Sequence, residues 1–458
     1  FYYLVQIEGN TNQTFFLENS PSITIESQNG GNTELVSGVG NNNMERPDSS
    51  RDGKSVVYEQ TDGNGIQQVY LQQLDTNQGP VLVSRNSNQN SGNANSLRPK
   101  ISADGTMVVF HSKADNLVSF PPDDNGVEDI FIYNVENATL FRIFNPVRLE
   151  NGNGASLYPD LNEDGSVVVF ESLATNLTAN SLGTERKILL YEANATASNR
   201  IHAPLPFANG PSYMPSISND GKKIVFSSEA TNLDANDSNG ERDIFLHTLD
   251  TNETFLANVN FFNKQATGGS SDQAVISGDG STIAFRSMAS NLVQEKGISL
   301  IEVKNGGVGY RGNPTLSVFD LNATGTGARL EFEPNAIDQY GQILPNSIRI
   351  VDYGENYTLP FISIIPDPTQ SSPDEVAEIS AFLSNPRGEI YTVSTADIIN
   401  KSASNQRKYS IRISENYSNQ VGADQESREP SISEDGKLVI YSTKSSNLLD
   451  LNITREDG

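Results

Sequence analysis

One phrase of fifteen residues recurs six times along this 458-residue chain and constrains its fold more than any other feature. The copies are RPDSSRDGKSVVYEQ (46–60), RPKISADGTMVVFHS (98–112), YPDLNEDGSVVVFES (158–172), MPSISNDGKKIVFSS (214–228), QAVISGDGSTIAFRS (273–287) and EPSISEDGKLVIYST (429–443). Each has a short strand followed by Asp-Gly, whose glycine supplies the positive φ of a tight hairpin turn. A β-branched and aromatic strand follows, V-V-F or I-V-F, apolar enough to be buried on both faces. A proline opening the first strand is tolerated because that position can lack a ladder donor.

The Asp-Gly steps begin at Asp52, Asp104, Asp164, Asp220, Asp279 and Asp435, spaced by 52, 60, 56, 59 and 156 residues. The complete repeats carry a third strand: QVYLQQL (68–74), DIFIYNV (129–135), KILLYEA (187–193) and DIFLHTL (243–249). A fourth follows at PVLVS (80–84), TLFRIF (139–144) and ETFLANV (253–259). Four antiparallel strands, repeated radially without helical periodicity, predict an all-β chain: a six-bladed β-propeller with an inserted small β domain.

The pattern P-x-I-S-x-D-G-x-x-[IV]-[VA]-F-x-S followed by A-T-N-L resembles the repeat of TolB-like, WD-like β-propellers. Its copies stand at Pro99–Ser112, Pro159–Ser172, Pro215–Ser228 and Pro430–Ser442, with Tyr441 in place of Phe. The first copy loses I-S, and the fifth has Ala274 in place of Pro. The resemblance implies a fold and leaves function open, because such propellers serve as scaffolds, partner platforms and enzyme appendages.

The long fifth interval assigns 1–293 and 387–458 to the propeller and 294–386 to the inserted β module. Within the insertion, ISLIEVKNGGVGYRGNPTLSVF (298–319) and NSIRIVDYGENYTLPFISII (346–365) are related units, each with a Gly-rich turn, a Tyr and a Pro. They resemble a small Gly/Tyr-rich β repeat of large bacterial and phage surface proteins. SPDEVAEISAFL (372–383) reads as a capped helix or a strand, while GEIYTVS (388–394) and KYSIRIS (408–414) complete blade five. Blade six has two strands at 429–443. The rest comes from FYYLVQI (1–7), TFFLE (14–18), SITIE (22–26) and TELVS (33–37), closing the ring within one chain or linking two chains by strand addition. The chain starts inside a predicted strand and reads as a mature or trimmed product.

A net charge of −26 argues against nucleic acid, which requires clustered Lys and Arg. No apolar run is long enough to span a bilayer. With no Cys, disulfides and thiol nucleophiles are excluded. Eleven sequons begin at Asn12, Asn137, Asn176, Asn194, Asn236, Asn252, Asn322, Asn356, Asn400, Asn416 and Asn452. They favour an extracellular or cell-surface address, with the periplasm as the alternative.

His111, His202 and His247 show no metal spacing, and there is no G-x-S-x-G elbow. GGSSDQ (268–273) and NGGVGY (305–310) read as turns rather than phosphate cradles. The matching loops PPDDNGVED (121–129) and LDANDSNGERD (233–243) space oxygen ligands as a Ca²⁺ loop does, with Asp124, Asn125 and Asp129, and Asp237, Asn239 and Asp243, as candidates. An Asx-rich turn opening strand three is the competing reading. No other cofactor is expected. The sequence therefore points to a non-catalytic extracellular structural or adhesive protein, assembling with itself through its N-terminal strands. The rivals are a monomeric module binding a glycan or protein and a polysaccharide-acting enzyme.

Overall fold

The computed structural model describes residues 2–7, 13–15, 44–76, 78–178, 184–195, 200–203, 208–260, 265–292, 298, 300–312, 314–345, 347–352, 357–382, 388–399, 410–414 and 426–443. In every Ser-x-Asp-Gly step the glycine takes a positive φ, between 67° and 76°. The Asp carboxylate accepts the N–H two residues on, as at Lys54, Thr106, Ser166, Lys222, Ser281 and Lys437. A Ser hydroxyl two residues before the Asp donates to the same carboxylate in five copies. In the third copy Asn162 stands at that position.

These turns join the first two strands of six four-stranded antiparallel sheets, the blades of a β-propeller. Inner strands run Met44–Ser49, Ser96–Ile101, Ser156–Leu161, Ser212–Ile217, Ser271–Ile276 and Ser427–Ile432. The residue before each Pro (or before Ala274) is a bulge with φ between 47° and 55°: Arg46, Arg98, Tyr158, Met214, Gln273 and Glu429. The register shifts there in every blade. Ala274 keeps the bulge, so proline is not what makes it.

The second strands bury Phe110, Phe170, Phe226 and Phe285 completely. Phe110 stacks on Phe131, Phe226 on Phe245 and Phe285 on Tyr391, at centroid distances of 5.5, 5.8 and 5.7 Å. The apolar clusters do not belong to single blades. Val57 and Val69 of blade one pack with Val108 and Phe110 of blade two, and the same sharing joins each next pair through blade six.

The sixth blade is completed from the N-terminus. Tyr2–Ile7 pairs antiparallel with Leu438–Thr443 over six residue pairs, and Gln13–Phe15 lies outside it. The sixth sheet is thus assembled within one chain. The strands read at 22–26 and 33–37, and part of that at 14–18, fall outside the described residues.

Residues 300–382 form three nested two-stranded pairings: Leu300–Asn305 with Glu378–Phe382, Thr315–Asp320 with Pro360–Ile365, and Arg329–Phe332 with Ile348–Asp352. Their core of Leu330, Ile362 and Ile379 stands apart from the interblade clusters. The ambiguous 372–383 segment contributes a strand. Tyr310 and Tyr357 are both buried, and their hydroxyls accept the Ala377 and Ala328 N–H groups. The likeness to a surface-protein repeat is not shown by any matched structure.

Removing residues 1–15 should expose Leu438–Thr443 as an unpaired edge. The expected outcome is a loss of at least about 2 kcal/mol in urea unfolding, with concentration-dependent association in sedimentation velocity. An unchanged midpoint in a monomeric truncation would show that the ladder is dispensable.

Candidate functional site

Two ends of the space ringed by the inner strands differ in chemistry. At the Asp-Gly end the turns are linked from blade to blade by backbone hydrogen bonds: Arg51 to Ala103, Asp104 to Glu163, Glu163 to Asn219, Asn219 to Gly278 and Asp279 to Glu434. The Arg51 guanidinium reaches across to Glu163 at 2.7 Å and Glu434 at 2.5 Å. A Cβ at Gly278 would lie 2.5 Å from the Asn219 side chain, so a larger residue there would have to displace it. This end is a charge-paired plug.

Midway, Asp48 accepts the Ile101 N–H at 2.9 Å and pairs with Lys100 at 3.2 Å. Asp160 likewise accepts the Ile217 N–H. Above them the bulge N–H of blades two, three and four meets an acceptor on the preceding blade. Arg98 donates to Glu59, Tyr158 to the His111 Nδ1 and Met214 to Glu171. Burial raises the pKa of both glutamates, and Arg46 and Arg186 pair with them.

The opposite mouth gathers arginines on tyrosines across blades two to four. The Arg98 guanidinium lies 5.1 Å over the Tyr158 ring and forms no ion pair among the described residues. Tyr213 lies between Arg186 at 5.6 Å and Arg242 at 3.9 Å. Arg242 also pairs with Glu229 at 2.7 Å, and its buried Nε has no hydrogen-bond partner. These side chains are half-exposed, so each fork keeps donors for a ligand. Sequence reading missed this arc because its members come from different repeats and no single motif holds them.

The sequence-predicted metal residues behave differently in the two loops. In blade two the cation is internal: Arg142, fully buried, lies 2.5 Å from Asp123 and 3.7 Å from Asp129. Asn125 donates to Asp129, whose carboxyl burial pushes up to about 7. Asp124 is exposed and accepts from Asn151. Asp124, Asn125 and Asp129 are therefore corrected from a Ca²⁺ site to an arginine-filled cage with Asp123 as its second carboxylate. In blade four Asp237 and Asp243 are buried and Asn239 bridges to Ala266. Among the described residues no cluster of three or more His, Cys, Asp or Glu has metal-holding geometry.

Asn137, Asn194, Asn252, Asn322 and Asn236 are exposed, Asn236 donating to Asp234. Asn176 is instead a staple: it accepts the Asn153 N–H and donates its own amide to the Asn151 carbonyl, as Asn116 does between Asn93 and Ser91. The Asn176 amide already spends one of its two Nδ2 hydrogens on Asn151. Asn12, Asn356, Asn400, Asn416 and Asn452 lie outside the described residues.

No family model and no curated protein matches this chain. Among solved structures it is similar to TolB from Acinetobacter baumannii, at 16% identity over 63% of this chain and 60% of that one, TM-score 0.36. A putative TolB from Agrobacterium tumefaciens matches at 14% over 74% and 94%, TM-score 0.37. Oligogalacturonate lyase from Vibrio parahaemolyticus matches at 11% over 86% and 88%, TM-score 0.34. The neighbours are TolB-like and related propeller structures, a likeness of fold alone.

The expectation of a non-catalytic structural or adhesive protein is overturned. Peptidases and oligogalacturonate lyases stand among the matched structures beside TolB, so the architecture lends that role no support. The N-terminal strand expected to link subunits is moreover paired within its own chain. No helix among the described residues is long and apolar enough to cross a membrane.

His111 supplies a test of the blade seam. Burial, with Arg98 and Arg46 nearby, lowers its pKa to about 3, so the folded imidazole stays neutral where the unfolded one is protonated. Stability should therefore fall as pH drops from 6.5 towards 3, by at most about 1.4 kcal/mol per pH unit from this group. His111→Gln keeps a neutral acceptor and should flatten that part of the profile. Parallel profiles for the two proteins would exclude His111 as the source.

Proposed function

We propose that the protein is a ligand-binding propeller, taking a carboxylate-bearing ligand at the mouth opposite the Arg51 plug. The observation that carries this reading is the arc of Arg98, Arg186 and Arg242 stacked on Tyr158 and Tyr213. Guanidinium forks match carboxylates bidentately, and tyrosine faces hold a flat or extended backbone against them. The net charge of −26 repels anions at long range, yet charges beyond about 8 Å are screened at physiological ionic strength. The buried histidines serve packing in this reading: His111 accepts a backbone N–H, and His247 hydrogen-bonds Thr254. Exposed Asn137, Asn194, Asn252 and Asn322 support an extracellular or cell-surface address.

The test is calorimetric titration with alginate oligomers, which carry carboxylates, against neutral dextran oligomers. Arg98→Met and Arg242→Met should each weaken alginate binding about tenfold, the scale of one charge-assisted hydrogen bond. Both should fold, because Arg98 is unpaired among the described residues and Glu229 is left facing water. Equal binding of dextran, no binding of alginate, or indifference to both substitutions would sink the reading.

A further inference from the structure

Where the start of the third strand faces the end of the second, four of the five blades whose third strand follows in the chain meet its polar side chain in three ways. Blade one uses an amide: Gln68 donates to the Gly92 carbonyl and accepts from Ser84. Blade three has Lys187, half-exposed, donating to the Glu185 carbonyl. Blades two and five have carboxylates, Asp129 and Glu389, and each supplies an arginine from strand four. Arg142 stands opposite Phe131, and Arg412, 3.3 Å from Glu389, stands opposite Tyr391.

Blade four breaks the rule. Its third strand opens with Asp243, fully buried, but the residue opposite Phe245 is Leu256. Asp237, 4% exposed, is the counterpart of Asp123. The two loops otherwise coincide. Asn125 and Asn239 accept the N–H two residues on at 2.9 and 2.8 Å, and donate to Gly152 and Ala266 at 3.0 and 2.7 Å. Gly126 and Gly240 share a φ of 66° and 69°. Asn258 donates to the Asp243 Oδ1, while Asp243 Oδ2 and both Asp237 carboxylate oxygens have neither a hydrogen-bond nor an ion-pair partner among the described residues.

We propose that this blade-four cage binds a divalent cation of the Ca²⁺ class, with the carboxylates of Asp237 and Asp243 as ligands in the place that the Arg142 guanidinium fills in blade two. Two buried carboxylates without a counter-charge cost several kcal/mol, which protonation or a cation must relieve. Three free carboxylate oxygens form a hard donor set that suits Ca²⁺, Mg²⁺ or Mn²⁺ and not the thiophilic metals. Ca²⁺ is favoured because its flexible shell accepts two carboxylates completed by carbonyl oxygens and water, whereas Mg²⁺ demands near-ideal octahedral geometry.

The experiment compares the full chain, stripped with EDTA and dialysed, with and without CaCl₂, by thermal melting and isothermal titration. One tight Ca²⁺ per chain is expected, with a melting temperature that rises with the logarithm of free Ca²⁺. Asp237→Asn, nearly isosteric, should weaken that binding at least about tenfold, while Asp123→Asn in blade two should leave it unchanged. Leu256→Arg should abolish the Ca²⁺ response and stabilise the metal-free protein, because it rebuilds the blade-two arrangement. A melting curve identical in EDTA and Ca²⁺, or a Ca²⁺ response that survives Asp237→Asn, would overturn the proposal. So would loss of the response in Asp123→Asn alone.

Discussion

Everything in this molecule depends on the seam between neighbouring blades. No blade carries a core of its own: the apolar face of one blade's second and third strands is covered by the inner, second and third strands of the next. The polar part of the seam follows the same logic. In blades two, three and four a bulge turns one inner-strand N–H out of its own ladder, and the preceding blade's Glu59, His111 or Glu171 accepts it. At Glu59 and Glu171, where burial makes the carboxylate costly, Arg46 and Arg186 compensate. Stability is therefore a nearest-neighbour property, and a terminal blade left half-built would forfeit both kinds of contact. That explains why Tyr2–Ile7 is drawn across the whole chain length to pair with Leu438–Thr443.

The strands and turns were legible because they are written locally. Asp-Gly fixes a positive φ, and V-V-F fixes a strand buried on both faces, as at Val108–Ser112. The site chemistry was not, because it is written between repeats. Asp123 rather than Asp124 faces Arg142, and the arginine lies on the next strand, where nothing in PPDDNGVED announces it. The Asn of A-T-N-L reads as a glycan acceptor at Asn176, and in the fold it also staples the loop of its own blade through a residue more than twenty positions upstream. A signal was available: Asn116, Asn176, Asn232 and Asn291 recur in one frame, and all accept the N–H of the loop preceding the inner strand.

The insertion illustrates which constraint the fold cannot relax. It enters blade five between Ser287 and Glu389, in the loop from the second to the third strand, yet those two residues pair directly, as Ser112 pairs with Asp129 and Ser172 with Lys187. The register on either side of some hundred inserted residues is thus that of an ordinary blade. Loop length adds only slowly to the entropic cost of bringing strands together, whereas a one-residue slip would move every core side chain to the wrong face. Glu389 keeps its arginine partner, so even the charge arrangement of the strand start is preserved across the interruption.

The two ends of the molecule are consequently under different pressures. At the Asp-Gly end the turns are hydrogen-bonded to one another, and Gly278 is hemmed in by Asn219 and Glu434. Any change there is felt by two blades at once. At the other end each loop answers mainly to its own blade through the Asn staple, so its remaining residues are free to vary. The arginine–tyrosine arc, the Arg142 cage, the blade-four carboxylates and the insertion all lie at or near that end. Variation among repeats that must share one seam can accumulate only where the seam does not reach, and that is where a binding chemistry distinct from the fold has room to form.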